Sequence, residues 1–372
     1  MAMANEKLKS KRSGLTAVLI LLVAVTAVLL FLNRENLSFF ANLTGNYPED
    51  LPGGEPFIYE SGSNQVFALM GDNLAISSST GLQILNAQGK TLSREIFSMT
   101  RPAVSVSPRL GAFFDVGGRA LRVWNGREHV IMDTDSPIIT VTFNSSGYMA
   151  LTAQEPGYRG KVTVFNNRLT PIYEWFSGSG YALDAVVSPD RRSLAVLCVE
   201  STGSVIRFFR LDSEIEHASV LIPDELVFRI RFMSDGNLVA LSQTALHFYN
   251  PNGIHLSSYH FGGSFLVNFV LGEEFSVIAL SRYISGSRPI LKSFASDGRA
   301  LSSLTLDEKA ITLSVHNQRL LVLTSSRVTL LSRELTVLRE IKTQGRYNSA
   351  LLRPGGDVLL LAPHYGIVVN LN

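Results

Sequence analysis

A buried strand recurs along most of the chain, and its spacing limits the possible folds more than any other feature. The apolar triplets that mark this strand are centred on Ala75, Phe113, Ala150, Ala195, Ala240, Ala279, Val322 and Leu360. Their centres lie about 41 residues apart, near the ~40 to 45 residues of a four-stranded propeller blade. Most of the central residues are alanine, which suits sheets that pack closely, and the 3.6-residue period of helical repeats is absent.

The clearest copy of this repeat, Leu183 to Leu197, is typical of a strand, a tight turn and a second strand. An alternating run (Leu183, Ala185, Val187) meets turn residues at 188–190, and a nearly all-apolar strand follows. Each copy also carries a second hairpin downstream, with turns such as those at 87–89, 125–126, 251–253 and 296–298, and less regular ones at 166–168 and 332–334. Glycine and asparagine accept the positive φ of such turns, so each copy predicts one four-stranded blade.

The last copy, residues 347–372, ends after three strands. The segment Pro56 to Glu60 (PFIYE) precedes the first copy and has no other partner. We therefore predict that it supplies the missing outer strand, which closes the ring and removes an open sheet edge. The predicted fold is all-β: a β-propeller of about eight four-stranded blades over residues 56–372. Seven blades remain the alternative if the copies around Ile278 and Val322 form one blade.

The N-terminal part of the chain has the pattern of a membrane anchor. Residues 1–13 form a basic head, and residues 14–32 are 19 residues without a charge, which would span about 28 Å of bilayer as a helix. A cleaved signal peptide is the competing interpretation, but its apolar region is shorter and no A-x-A-like site follows. The basic residues precede the span, so the N-terminus is predicted to be cytoplasmic and the rest extracytoplasmic. Residues 33–55, rich in Pro and Gly, are predicted to be a tether.

Composition excludes some classes of function. The chain is 46% hydrophobic and 17% charged, so it can bury a large core. Beyond Ser13 it carries 29 basic and 30 acidic residues, and a neutral domain of this kind is not expected to bind nucleic acid. The single cysteine, Cys198, lies in an apolar strand and is expected to be a small buried hydrophobe.

One segment suggests a family. Residues 188–197 (SPDRRSLAVL) resemble the S-P-D-G-x-x-L-A strand pairs of WD40-like and TolB-like propellers, although one copy alone carries S-P-D and the WD dipeptide is absent. The whole layout resembles uncharacterised single-span bacterial membrane proteins with an external propeller. It is also similar to the outer-membrane assembly lipoprotein and to quinoprotein dehydrogenases, but it lacks a lipobox cysteine and repeated tryptophan motifs. The resemblance implies a fold and no particular reaction.

The sequence carries no strong catalytic or metal-binding motif. Its seven histidines do not pair with cysteine or carboxylates at metal-ligand spacing, so we predict no metal and no cofactor. The run 178–180 lacks the strand-turn-helix context of a nucleophile elbow or a phosphate loop. The run 296–298 superficially resembles a sialidase-type Asp box but fits a turn better. Glu273 and Glu274 are a possible carboxylate pair, yet adjacent turn residues are more often simply solvated.

The candidate binding residues lie in the longer loops. In a propeller, the loop between the second and third strands and the connection to the next blade emerge at the same end. The tyrosine and arginine residues expected to cluster there are Arg101, Tyr158, Arg159, Tyr181, Tyr283, Arg288, Arg346 and Tyr347. These residue types are enriched at binding hot spots. Scattered surface residues on loops are the simpler interpretation of the same pattern.

Two classes of function follow. The first is a membrane-anchored binding or scaffold module for an envelope protein, a peptide or a glycan. The second is an extracytoplasmic hydrolase with carboxylates at the mouth of the channel. A carboxylate pair at the channel mouth would favour the hydrolase, whereas an apolar, aromatic patch with a polar rim would favour the binding module.

Overall fold

The computed structural model describes residues 56–343 and 346–371, and in this range the chain forms 32 strands in eight four-stranded antiparallel sheets. No helix in these residues is long and apolar enough to cross a bilayer. The predicted basic head (1–13), membrane span (14–32) and tether (33–55) lie outside the described residues.

Each of the first seven blades consists of four strands that are consecutive in the chain. Blade 1 contains β2 (Val66–Met70), β3 (Asn73–Ser78), β4 (Gly81–Leu85) and β5 (Thr91–Ile96). Blade 2 contains β6 (Pro102–Val106), β7 (Gly111–Asp115), β8 (Leu121–Trp124) and β9 (His129–Ile131). Blade 3 contains β10 (Ile138–Phe143), β11 (Met149–Ala153), β12 (Lys161–Phe165) and β13 (Pro171–Phe176). Blade 4 contains β14 (Tyr181–Val187), β15 (Ser193–Glu200), β16 (Gly203–Arg210) and β17 (Glu216–Pro223).

The next three blades repeat this order. Blade 5 contains β18 (Val227–Phe232), β19 (Leu238–Ser242), β20 (Ala245–Tyr249) and β21 (His255–His260). Blade 6 contains β22 (Phe265–Leu271), β23 (Phe275–Ser281), β24 (Ile290–Ala295) and β25 (Ala300–Thr305). Blade 7 contains β26 (Thr312–His316), β27 (Arg319–Leu323), β28 (Arg327–Ser332) and β29 (Val337–Lys342).

Blade 8 joins the two ends of the described chain. Three of its strands come from the C-terminal end: β30 (Ser349–Leu352), β31 (Val358–Leu361) and β32 (Tyr365–Val369). The fourth is β1 (Phe57–Ile58), which pairs antiparallel with β32 through Phe57 opposite Gly366 and Ile58 opposite Tyr365. The predicted closing strand and the count of eight blades are therefore confirmed, and the seven-blade alternative is wrong.

The recurring triplets occupy one structural position. All eight predicted centres lie on the second strand of a blade and are at most 1% exposed. The apolar clusters of the core lie between neighbouring blades, as where Leu197 and Ile206 of blade 4 pack with Ile230 of blade 5. Alanine at the centre of the second strand lets two sheets approach each other closely, which explains its frequency there.

The connections define two ends of the disc. We call the end that carries the loops between second and third strands and the connections between blades the loop face. The other end, with the turns between first and second and between third and fourth strands, is the turn face. The predicted second hairpins all turn at the turn face. Asn250 shows the mechanism: its side-chain oxygen accepts the backbone N–H of Asn252 and of Ile254, both at 2.9 Å.

Candidate functional site

The predicted binding residues reach the loop face but do not form one cluster. They belong to the edges of blades 2, 3, 4, 6 and 8, and all except Tyr347 are exposed. Three of them come together: Tyr158, Arg159 and Tyr181. The Arg159 guanidinium lies over the Tyr181 ring, 4.9 Å from its centroid, and donates a hydrogen bond to the Tyr181 hydroxyl. The Tyr158 ring lies 5.0 Å from that of Phe176, so the seam between blades 3 and 4 carries a small aromatic and cationic patch.

Arg101 has a structural role at its position. Its backbone N–H donates to Asp115 at 2.6 Å, and its Nε donates to the carbonyl of Val116 at 2.9 Å. The guanidinium also lies against Gly117, where an added Cβ would stand 2.3 Å from Nη2. Arg101 therefore fastens the connection between blades 1 and 2 to the β7–β8 loop, and its side chain is less free to bind a partner than the sequence pattern indicates.

Tyr347 corrects the expectation of an exposed side chain. It is only 4% exposed, and its ring packs edge-on against Tyr365 at 6.3 Å. Burial, followed by the neighbouring Tyr365, raises the pKa of the Tyr347 hydroxyl. The residue packs against the last blade because the strand that follows it begins only two positions later, whereas its neighbour Arg346 is exposed.

Tyr283 and Arg288 lie on the longest exposed loop of blade 6. The loop is folded on itself by Ser281, whose hydroxyl donates to the carbonyl of Ser287 at 2.8 Å and accepts the N–H of Tyr283 at 3.1 Å. Tyr283 is 62% exposed and its neighbour Ile284 is 84% exposed. An ordered loop therefore presents two large apolar side chains to solvent.

Beside this loop lies an aromatic pocket that the sequence did not reveal. It has a volume of about 720 Å³ at the seam between blades 5 and 6, and its aromatic lining is Phe228, Phe261, Phe265 and Phe269. The polar groups around it are Gln243, Thr244, Ser264 and Asn268. Phe265 is 46% exposed. The Tyr283 loop adjoins the pocket through Gly286, whose added Cβ would stand 3.4 Å from Val267, a lining residue.

The pocket forms where the inner strands of two neighbouring blades pack least closely. Among neighbouring inner strands, β18 and β22 make the least contact. The wider gap is occupied by Phe228 and Phe269, whose rings meet edge to face at 5.8 Å. These two rings also line a second cavity in the central channel, so the pair forms a wall shared by pocket and channel.

A polar residue recurs at one register of the inner strands. The inner strands of blades 3 to 6 each contain a β-bulge. The residues that follow the bulge, in equivalent positions, are Thr140, Asp184, Arg229 and Asn268. Bulges redirect side chains and are frequent next to functional sites. A polar residue inside an otherwise apolar first strand was the available signal for these positions.

Asp184 and Asn268 use this position to join neighbouring blades. The Oδ1 atom of each accepts the N–H of the next residue, at 3.1 Å from Ala185 and at 2.8 Å from Phe269. The second oxygen of Asp184 accepts the N–H of Ile230 in blade 5 at 3.3 Å. Burial raises the pKa of Asp184 to about 6, although Arg229 and these hydrogen bonds act in the opposite direction. The carboxyl is therefore a buried group that titrates in a weakly acidic range.

A serine, histidine and carboxylate meet in blade 5. The Nδ1 atom of His247 lies 2.8 Å from the Ser258 hydroxyl, and its Nε2 lies 3.1 Å from Glu225. Burial alone would raise the pKa of Glu225, but hydrogen bonds from Ser242 and His247 lower it below its ordinary value. None of these four residues lines the aromatic pocket or the channel cavity, and Ser258 lies on an outermost strand. The network fastens the connection between blades 4 and 5 onto blade 5.

The other residues that the sequence analysis considered for chemistry have ordinary structural surroundings. Cys198 is fully buried in the core between blades 3 and 4, and burial raises the pKa of its thiol to about 11. Glu273 faces Arg231 at 3.5 Å in the channel. Within residues 56–343 and 346–371, no group of three or more His, Cys, Asp or Glu side chains is placed to hold a metal ion.

Comparison with known proteins identifies the family. The family model of DUF5711, a family of unknown function, matches residues 58–344, which is most of the chain. The chain belongs to DUF5711. The matched residues cover almost the whole propeller. A search of curated proteins finds no match.

Solved structures show the same fold. The C-terminal WD40 domain of Sif2 superposes with a TM-score of 0.61 at 11% identity, over 88% of this chain and 100% of that domain. BamB from Moraxella catarrhalis gives 0.57 at 9% identity, over 86% and 100%. The β-propeller domain of Cps50 (Swd1) from Myceliophteria thermophila gives 0.53 at 11% identity, over 74% and 98%. At these identities the likeness concerns the fold and not the activity.

Proposed function

We propose that this DUF5711 protein is a membrane-anchored, extracytoplasmic β-propeller that binds an envelope or extracellular protein through the aromatic pocket on its loop face. The anchor and the orientation rest on the apolar run at 14–32 and the basic residues before it. The propeller fold, shared with the WD40 domain of Sif2 and with BamB, is compatible with a binding module.

The observation that carries the proposal is the aromatic pocket. Exposed aromatic surface with a polar rim is characteristic of interaction sites, and aromatic side chains dominate binding hot spots. Phe265 and, on the adjoining loop, Tyr283 and Ile284 expose large apolar side chains at the loop face. A partner that inserts an apolar side chain into the pocket would bury them together.

The composition of the pocket favours a protein or peptide over a glycan. A glycan is held largely by hydrogen bonds to its hydroxyl groups, and the polar side chains around this pocket are Gln243, Thr244, Ser264 and Asn268. The side-chain nitrogen of Asn268 is already occupied, because it donates to the carbonyls of Ala310 and Ile311 at 3.2 Å. The occupant expected here is therefore a peptide segment with one or two apolar or aromatic side chains.

The structure gives less support to a hydrolase at the channel mouth. The carboxylates there lie next to arginines: Asp184 near Arg229 at 3.7 Å and Glu273 near Arg231 at 3.5 Å. Glycoside hydrolysis would instead need two carboxyl groups facing one substrate bond. The pairs with arginine favour a binding role for the channel.

Replacement of Phe265 by serine together with Tyr283 by alanine tests the proposal. Both side chains are exposed, so folding should be unaffected, whereas truncating two hot-spot aromatics typically costs about 2 kcal/mol or more each. We expect the amount of partner recovered with the full-length protein after cross-linking in native membranes to fall at least tenfold.

The matched control is Ile254→Ser together with Leu256→Ala, which removes two exposed apolar side chains at the turn-face end of blade 5. This control should recover the same partner in normal amount. Normal recovery with the Phe265 and Tyr283 variant, or equal losses in both variants, would contradict a site at the aromatic pocket.

A further inference from the structure

The central channel contains a cavity of ligand size that is separate from the aromatic pocket. Its volume is about 660 Å³, and the inner strands of blades 2 to 6 line it. Small-molecule sites commonly measure about 300 to 1,000 Å³ and combine apolar walls with a few polar groups. Here the walls are mainly Val, Ile, Leu and Phe side chains, and the charged lining residues are Asp184, Arg229, Arg231 and Glu273.

Two arginines of one strand face this cavity. Arg229 and Arg231 flank Ile230, which is buried, so strand alternation places both arginine side chains on the same side. Both residues line the cavity, and their side chains remain partly exposed. The two cations therefore lie next to each other on one wall.

Their hydrogen-bonding capacity is largely unused. Charge-assisted hydrogen bonds normally measure about 2.7 to 2.9 Å. The contacts of Arg229 with Asp184, at 3.7 Å, and of Arg231 with Glu273, at 3.5 Å, are longer. The Nε of Arg231 is buried and has no hydrogen-bond partner among the described residues. By contrast, Arg207 holds two carboxylates at 2.7 and 2.8 Å.

The carboxylate nearest to Arg229 is oriented by other groups. The two oxygens of Asp184 accept backbone N–H groups of Ala185 and Ile230, and neither makes a close contact with the guanidinium. Burial favours the neutral form of this carboxyl. The forked donors of the two arginines are thus available to an oxyanion inside the cavity, and planar guanidinium groups suit such an anion well.

We propose that the channel cavity binds a small organic anion, with an apolar body against the walls and a single oxyanion group held by Arg229 and Arg231. The apolar body would contact side chains such as Ile139, Leu183 and Phe269, which line the cavity. Carboxylate, phosphate and sulfonate share the required chemistry. Probes that carry each of these three groups on the same apolar body show which group the site prefers.

Isothermal titration calorimetry of the full-length protein in a non-ionic detergent, with benzenesulfonate as the probe, tests this site. Benzenesulfonate is anionic at every working pH and has a compact apolar body. We expect saturable binding to the wild type, and an increase in Kd of at least tenfold in Arg231→Gln and in Arg229→Gln. Benzyl alcohol, which keeps the apolar body without the charge, should bind at least tenfold more weakly than benzenesulfonate.

The control variant is Arg327→Gln in blade 7. Arg327 has similarly long ion pairs, 3.8 Å to Glu308 and 3.5 Å to Glu340, but it does not line the cavity. Arg327→Gln should leave the Kd for benzenesulfonate unchanged. Arg231→Lys, which keeps the positive charge but loses the forked donors of the guanidinium, should give a Kd between those of the wild type and Arg231→Gln. Competition by benzoate and by phenyl phosphate then ranks carboxylate against phosphate. No saturable binding, equal affinity in Arg231→Gln and wild type, or equal binding of benzyl alcohol would overturn the proposal.

Discussion

Replacing Tyr59 by alanine should lower the free energy of unfolding by about 3 to 5 kcal/mol, the usual cost of removing a large buried aromatic side chain. Tyr59 is 3% exposed and follows the closing strand β1. Its ring packs against Phe57 and against Phe67 of blade 1, and its hydroxyl donates to the carbonyl of Ala362 in blade 8. One side chain therefore joins the first blade, the last blade and the strand between them.

Urea unfolding of the full-length protein measures this effect. The matched control is Ile58→Ala, because Ile58 directly precedes Tyr59 but is 63% exposed, and surface changes usually stay within about 0.5 kcal/mol. Tyr59→Phe should fall between the two, since it loses only a hydrogen bond worth about 1 kcal/mol. Equal urea midpoints for Tyr59→Ala and Ile58→Ala would show that the stability of the propeller does not depend on the packing of Tyr59 between the first and last blades.

Asp184 should make the stability of the propeller depend on pH. Its pKa is about 6 in the folded protein, against 3.8 for an unperturbed aspartate side chain. Between these values the folded protein holds a proton that the unfolded chain releases. The free energy of unfolding therefore falls as pH rises from about 4 to 6, and over the whole window the loss is roughly 3 kcal/mol.

The comparison of wild type with Asp184→Asn isolates this effect, because other carboxyl groups contribute equally to both proteins. We expect the wild type to have the higher urea midpoint near pH 4. The difference between the two midpoints should shift towards the variant by pH 7. The control is Asp297→Asn on an exposed turn, which should run parallel to the wild type. A parallel course for Asp184→Asn as well would mean that the carboxyl is not buried as described.

The repeat itself was predictable because its signals are local. The central strand residues, such as Ala195 and Ala240, are flanked by apolar neighbours, and glycine or asparagine marks the turns. Two turns without glycine still form, because Leu169 and Leu335 adopt the positive φ, of 61° and 59°, that glycine adopts elsewhere. Leu335 is buried, so its packing offsets the backbone cost.

The aromatic pocket and the channel cavity could not be predicted, because they depend on the distances between strands that are far apart in the sequence. Phe228 and Phe269 are typical core residues in sequence, and they line a pocket only because β18 and β22 stand apart. The bulge before Asp184 also changed the face of the strand: Leu183 is only partly buried, whereas Asp184 is buried. A strict alternation through Leu183, Ala185 and Val187 therefore does not describe this strand.

The predicted binding residues show the same limit. Residue type and loop position correctly place Tyr158, Tyr181 and Tyr283 on exposed parts of the loop face. They do not reveal that the Arg101 side chain donates a hydrogen bond to the carbonyl of Val116, or that Tyr347 packs against Tyr365. Those contacts join segments that are separated in sequence, so a single loop gives no sign of them. The binding role of the eight residues stays a prediction.

Site-specific photo-cross-linking in native membranes tests the central claim most directly. A benzophenone amino acid placed in turn at positions 265 and 283 of the loop face, and at 254 and 297 of the turn face, samples both ends of the disc at exposed positions. We expect one protein adduct of constant mass from 265 and 283 and none from 254 and 297. The same adduct from 254 and 297, with none from 265 and 283, would contradict binding through the loop face.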